Sequence, residues 1–303
     1  MKKKLIVILG PTSSGKTDLS IRLAKKFNGD VVSADSRQVY KGMNIGTGKI
    51  TKKEMQGIPH YLLDVASPKR KFSVAQYKKL AMKAINKIHK KQKIPFLVGG
   101  TGFYIQAVVD GTTIPEVKPD WKLRKKLEKK NTQELFEMLR KSDLKRAKSI
   151  DKQNRRRLIR AIEIVIKTKR PVPPLEKKPP QFDVLLLGIK KSREELKELI
   201  KKRLLRRLKY GMVAEIKKLR KTGVSWKRLE EFGLEYRHIA LYLQKKITYQ
   251  EMVEKLQKEI EHFAKRQMTW FKRDKRVHWI KNYKEAKKPV KDSLSTNVGR
   301  FLD

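Results

Sequence analysis

The sequence predicts an α/β protein, with a parallel sheet core, helices on both faces of the sheet, and an all-helical insertion. Three observations support this fold class. Apolar runs alternate with amphipathic segments, a glycine-rich turn directly follows the first run, and a charged stretch with helical spacing is bounded by prolines. Strands that alternate with helices form parallel sheets with right-handed crossovers.

Four apolar runs have the length and continuity of buried parallel strands. The predicted strands are 5–9, 30–34, 93–98 and 184–189. Apolar residues that recur every three or four positions predict helices between and after them. The predicted helices are 18–27, 72–91, 193–220 and 248–272, and the polar tail after Tyr283 is expected to be loosely held.

Proline clusters mark both ends of the insertion. Pro115 and Pro119 open it, and it is closed by Pro171, Pro173, Pro174, Pro179 and Pro180. Because prolines interrupt regular structure, such clusters indicate boundaries. The predicted organisation is a core of residues 1–113 and 181–303, with a helical insertion domain at 114–180.

The turn after the first strand is a phosphate-binding motif. Residues 10–17 read GPTSSGKT and fit the pattern G-x-x-x-x-G-K-[ST], between a strand and a helix as that pattern requires. Backbone N–H groups and the helix dipole there attract an anion. The core is therefore predicted to be P-loop NTPase-like. The predicted phosphate site comprises Gly10, Pro11, Thr12, Ser13, Ser14, Gly15, Lys16, which contacts the terminal phosphates, and Thr17, which ligates Mg²⁺.

The motif implies a di- or triphosphate but does not name the reaction. Kinases and ATPases usually carry an acid at the end of a hydrophobic strand to hold the metal. Here run 93–98 leads into Gly99-Gly100-Thr101, whereas Asp35 ends run 30–34. Ligands lie at the carboxyl ends of parallel strands, so Asp35 is the acid best placed near the phosphates. Its alternative role is that of a helix N-cap or a local Asx-turn residue.

The charge of the chain points to a polyanionic partner. The 303 residues include 77 Lys and Arg against 31 Asp and Glu, a net charge of +46. Such a surface gains affinity for nucleic acid by releasing counterions, although a Lys-rich proteome is the alternative explanation. There is no cysteine, which excludes disulfides, thiolate catalysis and cysteine-ligated zinc. No apolar stretch approaches the roughly 20 residues that span a bilayer, so a cytoplasmic protein without a membrane partner is expected. A monomer is expected as well.

Several longer segments resemble one known family. They are SADSRQVYKGMNIGTGK at 33–49, PHYLLD at 59–64, PFLVGGTGFY at 95–104, NRRRLIRAIE at 154–163 and AKRQMTWF at 264–271. Together with the phosphate loop, they make the chain similar to the tRNA dimethylallyltransferases, also called isopentenyl-diphosphate:tRNA transferases. The absence of a cysteine–histidine zinc module, which eukaryotic relatives append, places the resemblance with the bacterial type.

The resemblance implies a reaction and a set of catalytic roles. Dimethylallyl diphosphate donates its dimethylallyl group to N6 of the adenosine just 3′ of the tRNA anticodon, and diphosphate leaves. By resemblance, Asp35 takes the proton of the amine and Thr101 orients that amine. Lys16, Arg203 and Mg²⁺ are expected to stabilise the leaving diphosphate.

The resemblance also implies contacts with tRNA, whose target base is flipped out of the anticodon loop. The expected contact residues are Asp35, Ser36, Arg37, Gln38, Arg124, Arg156, Arg157, Leu158, Ile159, Arg160, Gly233, Tyr236 and Arg237. The last three depart from the family pattern, because Leu234 and Glu235 separate the Gly from the Tyr-Arg pair.

Three other functions share part of this pattern. A nucleotide or small-molecule kinase has the same loop and sheet but does not need RNA. An RNA-binding P-loop protein without chemistry would not depend on Asp35. An isopentenyltransferase that acts on free adenine nucleotides uses similar residues but would not need the basic insertion.

Overall fold

The computed structural model describes residues 2–112, 115, 117–174 and 181–295. The chain divides into two compact units. The first combines Met1–Gly111 with Pro179–Asp303, and the second is Thr112–Lys178. The predicted boundary positions 113, 114 and 180 lie outside the described residues, and so does Pro179.

A parallel sheet forms the centre of the first unit. Its strands in the described part of the chain are β1 Lys3–Leu9, β2 Gly29–Ser33, β3 His60–Tyr61, β4 Ile94–Gly99, β5 Phe182–Ile189 and β6 Val277–Ile280. They lie in the order β3-β2-β4-β1-β5-β6, and every neighbouring pair is parallel. The predicted α/β fold class is confirmed.

The helices follow the strands in alternation through the first unit and cluster after β5. In chain order they are α1 Lys16–Lys26, α2 Lys52–Met55, α3 Val74–Lys90, α4 Gly102–Val109, α5 Trp121–Leu127, α6 Thr132–Ser142, α7 Leu144–Ser149, α8 Arg155–Thr168, α9 Arg193–Lys209, α10 Met212–Lys221, α11 Trp226–Phe232, α12 Leu234–Leu243, α13 Tyr249–Phe271 and α14 Tyr283–Ser295. Within the residues described, none of them is long and apolar enough to cross a membrane.

Both faces of the sheet are covered by helices. Side chains alternate along a strand, so β1 contributes Leu5, Val7 and Leu9 to one core and Ile6 and Ile8 to another. The first core includes residues of α3 and α4, and the second includes residues of α1 and α14. A third core is formed mainly by α9 to α13 together with the segment after β2.

Two sequence-based expectations about the C-terminal half are wrong. The predicted helix 193–220 is two helices, because Gly211 adopts φ 91° between α9 and α10. A positive φ is readily available only to glycine, so this residue ends one helix and starts the next. The expectation of a loose tail after Tyr283 is wrong for residues 283–295, because they form α14, which buries Ala286 and Val290.

The second unit is a small helical domain with its own core. Helices α5 to α8 bury a continuous set of apolar side chains, among them Leu127, Leu135, Leu139, Leu158 and Ile162. A capping box begins α6. The Asn131 side chain accepts from the Glu134 backbone N–H, and the Glu134 carboxylate accepts from the Asn131 backbone N–H.

Candidate functional site

The segment 10–17 forms the turn that links β1 to α1. Gly10, Ser13 and Gly15 all have positive φ, which curls the backbone around a concave centre. The Ser14 hydroxyl is buried without a hydrogen-bond partner in the protein, a state that a bound polar ligand can relieve. The Lys16 Nζ donates to the carbonyls of Gly10 and Pro11 at 3.0 and 2.6 Å, so its charge lies directly over the turn.

Lys16 has an unusual environment for an amine. Burial and, to a smaller extent, the nearby charge of Arg203 lower its pKa to about 7, although the charge of Asp35 opposes both effects. An anion held at the turn favours the charged amine, because opposite charges stabilise each other at short range. The predicted contact of Lys16 with terminal phosphates is consistent with this placement.

Arg203 extends from α9 to the phosphate loop. Its Nη1 donates to the Thr12 hydroxyl at 2.9 Å. Burial, followed by the charge of Arg207, lowers the pKa of Arg203 to about 10. Arg203 is therefore not a solvated residue of a basic helix surface; it adds a second positive charge to the loop.

Asp35 and Thr101 meet where β2 and β4 end. Thr101 occupies the N-cap position of α4, but its hydroxyl accepts from no N–H group of that helix. The hydroxyl accepts instead from the Ser36 backbone N–H at 3.0 Å. The Thr101 N–H donates to the Ala34 carbonyl at 3.1 Å. Asp35 uses Oδ1 to accept from the N–H groups of Arg37 and Gln38 at 2.7 and 3.2 Å.

Asp35 thus forms the Asx-turn that the sequence offers as its alternative role, but both of these bonds use Oδ1. The charge of its carboxylate also acts on Lys16, Arg203 and Arg207. It partly offsets the lowering of their pKa values by burial. The turn therefore fixes the carboxylate beside the cationic side chains around the loop, so its structural role also sets its position in the site.

Gln267 is a site residue that the sequence analysis does not identify as functional. It is 7% exposed and comes from α13. Its Oε1 accepts from the Thr12 N–H at 2.8 Å, and its Nε2 donates to the Gly100 carbonyl at 2.8 Å. A Cβ at Gly100 would lie 2.3 Å from Nε2, so only glycine leaves room for this bridge. The available sequence signal was the position of Gln267 in the segment AKRQMTWF at 264–271, which resembles the family.

The residues that follow Asp35 are largely engaged within the protein. Gln38 accepts from the Ser33 hydroxyl at 3.2 Å and donates to the carbonyls of Thr47 and Gly48 at 3.5 and 3.3 Å. The Arg37 guanidinium lies over the Phe232 ring, 5.7 Å from its centroid. These contacts order the segment beside Asp35 where a base is predicted to enter.

The donors for a metal ion are few. Thr17, the predicted Mg²⁺ ligand, is exposed at the first turn of α1. Across the described ranges of the chain, no group of three His, Cys, Asp or Glu side chains could hold a metal. Mg²⁺ at phosphate sites often takes only one or two protein ligands, the remainder being water and phosphate oxygens, so a single hydroxyl fits that ion.

Among the predicted RNA contacts in the second unit, Arg156 and Arg157 are exposed. Leu158 and Ile159 are buried in the core of this unit, and their contact with RNA stays a prediction. Arg124 and Arg160 instead bind Glu163, which is 0% exposed: Arg124 donates from Nε and Nη2 at 2.8 and 2.6 Å, and Arg160 from Nη1. These two arginines are therefore held by a buried carboxylate.

The altered segment at 233–237 is also mostly internal. Gly233, with φ 73°, joins α11 to α12. Tyr236 is 1% exposed and donates from its hydroxyl to Glu215 at 2.8 Å, and its contact with RNA stays a prediction. Arg237 is half-buried and donates to the Glu230 carbonyl at 3.2 Å.

Comparison with known proteins identifies the family to which this site belongs. The sequence profile described as IPP transferase matches residues 38–274. The chain belongs to the IPP transferase family. The phosphate loop and Asp35 precede the matched range, and comparisons with individual relatives extend to most of the chain.

Individual relatives resemble the chain over most of their own length. A tRNA dimethylallyltransferase from Acetivibrio thermocellus is 42% identical over 91% of both chains. The solved tRNA isopentenylpyrophosphate transferase from Bacillus halodurans is 35% identical with a TM-score of 0.75, and 98% of each chain is covered. A eukaryotic dimethylallyltransferase acting on tRNA gives a TM-score of 0.81 at 27% identity, over 98% of this chain and 80% of the other. The family expected from the sequence motifs is confirmed.

Proposed function

We propose that this member of the IPP transferase family is a tRNA dimethylallyltransferase. It transfers the dimethylallyl group of dimethylallyl diphosphate to N6 of the adenosine that follows the tRNA anticodon. The observation that carries the proposal is the junction of Asp35 and Thr101, at the ends of adjacent strands, beside the loop that holds Lys16 and Arg203.

Asp35 is the general base in this proposal. The lone pair of the adenosine N6 amine is delocalised into the ring, so attack on carbon requires loss of a proton. The C–N bond forms at C1 of the dimethylallyl group while the C1–O bond breaks. The electron pair leaves with the diphosphate and the N6 proton passes to the Asp35 carboxylate. The Thr101 hydroxyl, fixed by the Ser36 N–H, accepts a hydrogen bond from the same amine and orients it.

The phosphate loop stabilises the leaving group. The charges of Lys16 and Arg203 and the N–H groups of segment 10–17 face the negative charge that develops on the diphosphate. Mg²⁺, held by Thr17 and phosphate oxygens, would neutralise part of this charge when bound. Because Gln267 binds Thr12 and Gly100, the loop keeps its position relative to Asp35 and Thr101.

The RNA partner follows from the net charge of +46 and from the relatives. The exposed Arg156 and Arg157 supply charge for phosphate contacts in the anticodon stem. The helical insertion that carries them is the proposed tRNA-binding domain. A cytoplasmic monomer remains the expected form of the protein.

The direct test is a transfer assay. The protein is incubated with Mg²⁺, dimethylallyl diphosphate and unmodified tRNA, and the nucleosides are then separated and weighed by mass spectrometry. The expected product is a single adenosine that carries one added dimethylallyl group, and a tRNA in which this adenosine is replaced by uridine is the matched control. Unmodified adenosine throughout would contradict the proposal.

The same assay separates the alternatives. Adenosine monophosphate replaces tRNA in a parallel reaction, and ATP replaces the prenyl donor in another. Modification of the free nucleotide without modification of tRNA would identify an isopentenyltransferase of free nucleotides. Phosphoryl transfer or ATP hydrolysis without prenyl transfer would identify a kinase or ATPase.

A further inference from the structure

Arg207 is a buried arginine of α9 with one unsatisfied nitrogen. It is 9% exposed and lies one helical turn after Arg203. Its Nη1 donates to Glu235 Oε1 at 3.2 Å and to the Gly46 carbonyl at 3.3 Å. Its Nη2 is fully buried and has no hydrogen-bond partner in the protein. Because buried donors are almost always paired, this nitrogen indicates an acceptor that is not part of the chain.

The unsatisfied nitrogen lies beside Gly48 and the Arg203 guanidinium. A Cβ built on Gly48 would lie 1.7 Å from Arg207 Nη2 and 2.3 Å from Arg203 Nη2. The two guanidinium groups therefore converge on Gly48, a position that has no side chain. Arg203 connects this point to the loop through its 2.9 Å bond to the Thr12 hydroxyl.

Two like charges this close repel each other unless anions lie between or beside them. Glu235 supplies one anion, since its carboxylate is bonded to Arg207 and its charge also acts on Arg203 and Arg37. Asp35 supplies a second anion, since its charge acts on the same three guanidinium groups. Two carboxylates therefore face three guanidinium groups and Lys16, so the cluster keeps a positive excess. A phosphate oxygen is an acceptor that matches both the positive charge of the cluster and the unpaired N–H of Arg207 Nη2.

We propose that Arg207 is a second guanidinium ligand of the diphosphate, alongside Arg203, and that Glu235 is the positioning residue that holds it there. This rests on the proposed function, which brings the diphosphate to the loop. Arg207 stays protonated throughout. Its Nη2 donates a charge-assisted hydrogen bond to a phosphate oxygen as the C1–O bond breaks, and no bond to Arg207 itself changes.

The proposal also accounts for the altered segment of the sequence. Glu235 is one of the two residues that separate Gly233 from Tyr236-Arg237, where the family pattern has Gly-Tyr-Arg. The extra pair provides the carboxylate, and α9 provides the arginine that it binds. Arg207 and Glu235 therefore form an ion pair, although 28 positions separate them in the sequence.

A phosphate of the RNA backbone has the same chemistry as a diphosphate, so the experiment must separate the two sources. The Arg203 bond to Thr12 favours the diphosphate. Arg207→Met is compared with wild type for binding of inorganic pyrophosphate by calorimetry, and for binding of an unmodified anticodon stem-loop RNA. Arg206→Met, an exposed arginine of the same helix, is the matched control.

The expected result for Arg207→Met is a pyrophosphate Kd raised about 10- to 100-fold, as for loss of a hydrogen bond to a charged group. RNA binding and the Arg206→Met variant should stay within about twofold of wild type. An unchanged pyrophosphate Kd would overturn the proposal. Loss of RNA binding alone would assign Arg207 to the RNA backbone instead.

Arg207→Met leaves Glu235 buried without its partner, which destabilises a protein. The double variant Arg207→Met/Glu235→Gln removes both charges and keeps the test valid if the single variant does not fold. Glu235→Gln alone should raise the pyrophosphate Kd by less than Arg207→Met, and Glu235→Asp should restore part of the loss. A Glu235→Gln protein with wild-type pyrophosphate binding would remove Glu235 from the proposal.

Pyrophosphate binding is measured without any transfer, so the two proposals fail separately. A wild-type protein that binds pyrophosphate through Arg207 but never modifies tRNA would contradict the proposed function alone. A wild-type protein that modifies tRNA, while Arg207→Met leaves both the pyrophosphate Kd and the KM for dimethylallyl diphosphate unchanged, would contradict this inference alone.

Discussion

The Ser36 N–H donates to the Thr101 hydroxyl at 3.0 Å, and this bond ties the loop after β2 to the loop after β4. The two strands are adjacent in the sheet, with Ser33 opposite Val98. A threonine at the start of a helix commonly caps it, but Thr101 makes no such bond. Its hydroxyl is held instead beside Asp35, so the strand order brings the proposed base and the orienting residue together.

Replacement of Asp35 by Asn tests its role as a base. An Asn Oδ1 can still accept from the Arg37 and Gln38 N–H groups, so the turn is expected to persist. Transfer should fall about 10²- to 10⁴-fold, because the amide cannot take the proton. Single-turnover rates with saturating substrates give this number, and tRNA and pyrophosphate affinities should remain near wild type.

Asp151→Asn is the matched control for that prediction, because Asp151 is exposed and also accepts from a backbone N–H two residues on, at 3.2 Å from Gln153. It should leave the rate unchanged. An Asp35→Asn enzyme that turns over at the wild-type rate would remove Asp35 from the mechanism.

Replacement of Gln267 by Leu tests the bridge between the phosphate loop and Gly100. The change leaves the Thr12 N–H and the Gly100 carbonyl without their partner, and such buried groups cost about 1–3 kcal/mol. Urea unfolding should show a loss of that size. The KM for dimethylallyl diphosphate should rise because Thr12 is no longer held.

Gln267→Glu provides a graded comparison, since a carboxylate can still accept from Thr12 but cannot donate to Gly100. Its KM is expected to lie between those of wild type and Gln267→Leu. Gln250→Leu, at an exposed glutamine of the same helix, is the control. Equal KM values for all four proteins would show that the bridge is dispensable.

Replacement of Arg156 and Arg157 by Ala tests the RNA contact of the insertion. Each phosphate contact contributes about 0.7–0.9 to the slope of log K against log salt. The double variant should bind tRNA more weakly at low salt, with a slope reduced by roughly 1–2, and should bind pyrophosphate as wild type does.

Arg140→Ala is the control for this salt dependence, because Arg140 is an exposed arginine of the same unit that pairs with Glu137 at 2.8 Å. It should leave the slope unchanged. A double variant with the wild-type slope would place the RNA elsewhere on the protein.

Acid should weaken the second unit through Glu163. Burial alone would raise the pKa of Glu163, but hydrogen bonds from Arg124, the Asp120 N–H and Arg160 outweigh it and lower the pKa below the model-peptide value of 4.5. A carboxyl whose pKa is lowered on folding stabilises the folded state above the unfolded pKa, and this contribution is lost as the pH falls through the folded pKa.

Glu163→Gln should therefore destabilise the unit at neutral pH, by about 3–5 kcal/mol, because Arg124 and Arg160 lose their buried charged partner. The variant should also lose less stability than wild type between neutral pH and about pH 3.5. Hydrogen exchange of residues in α5 to α8 measures both effects, with the exposed Glu128→Gln as control. Parallel pH profiles for wild type and Glu163→Gln would contradict this role.

Much of the fold could be predicted because its signals are local. The apolar runs of β1, β2, β4 and β5 and the glycine spacing of 10–17 lie within short windows of sequence, and they specify a parallel sheet with a phosphate loop. The two-residue strand β3 and the four-residue strand β6 carry too little pattern to be recognised. Gly211 looks like a tolerated helix residue until its φ of 91° is seen.

The sequence by itself determined the fold class, the phosphate loop and the position of Asp35 after a strand. Only the tertiary structure decided which charged side chains leave the surface. Arg203, Arg207 and Arg206 occupy the same basic stretch, yet the first reaches Thr12, the second binds Glu235, and the third is exposed. Gln267 bonds to a residue 255 positions away. The physical reason is that burial and hydrogen-bond partners depend on neighbours brought together by folding, which no local pattern encodes.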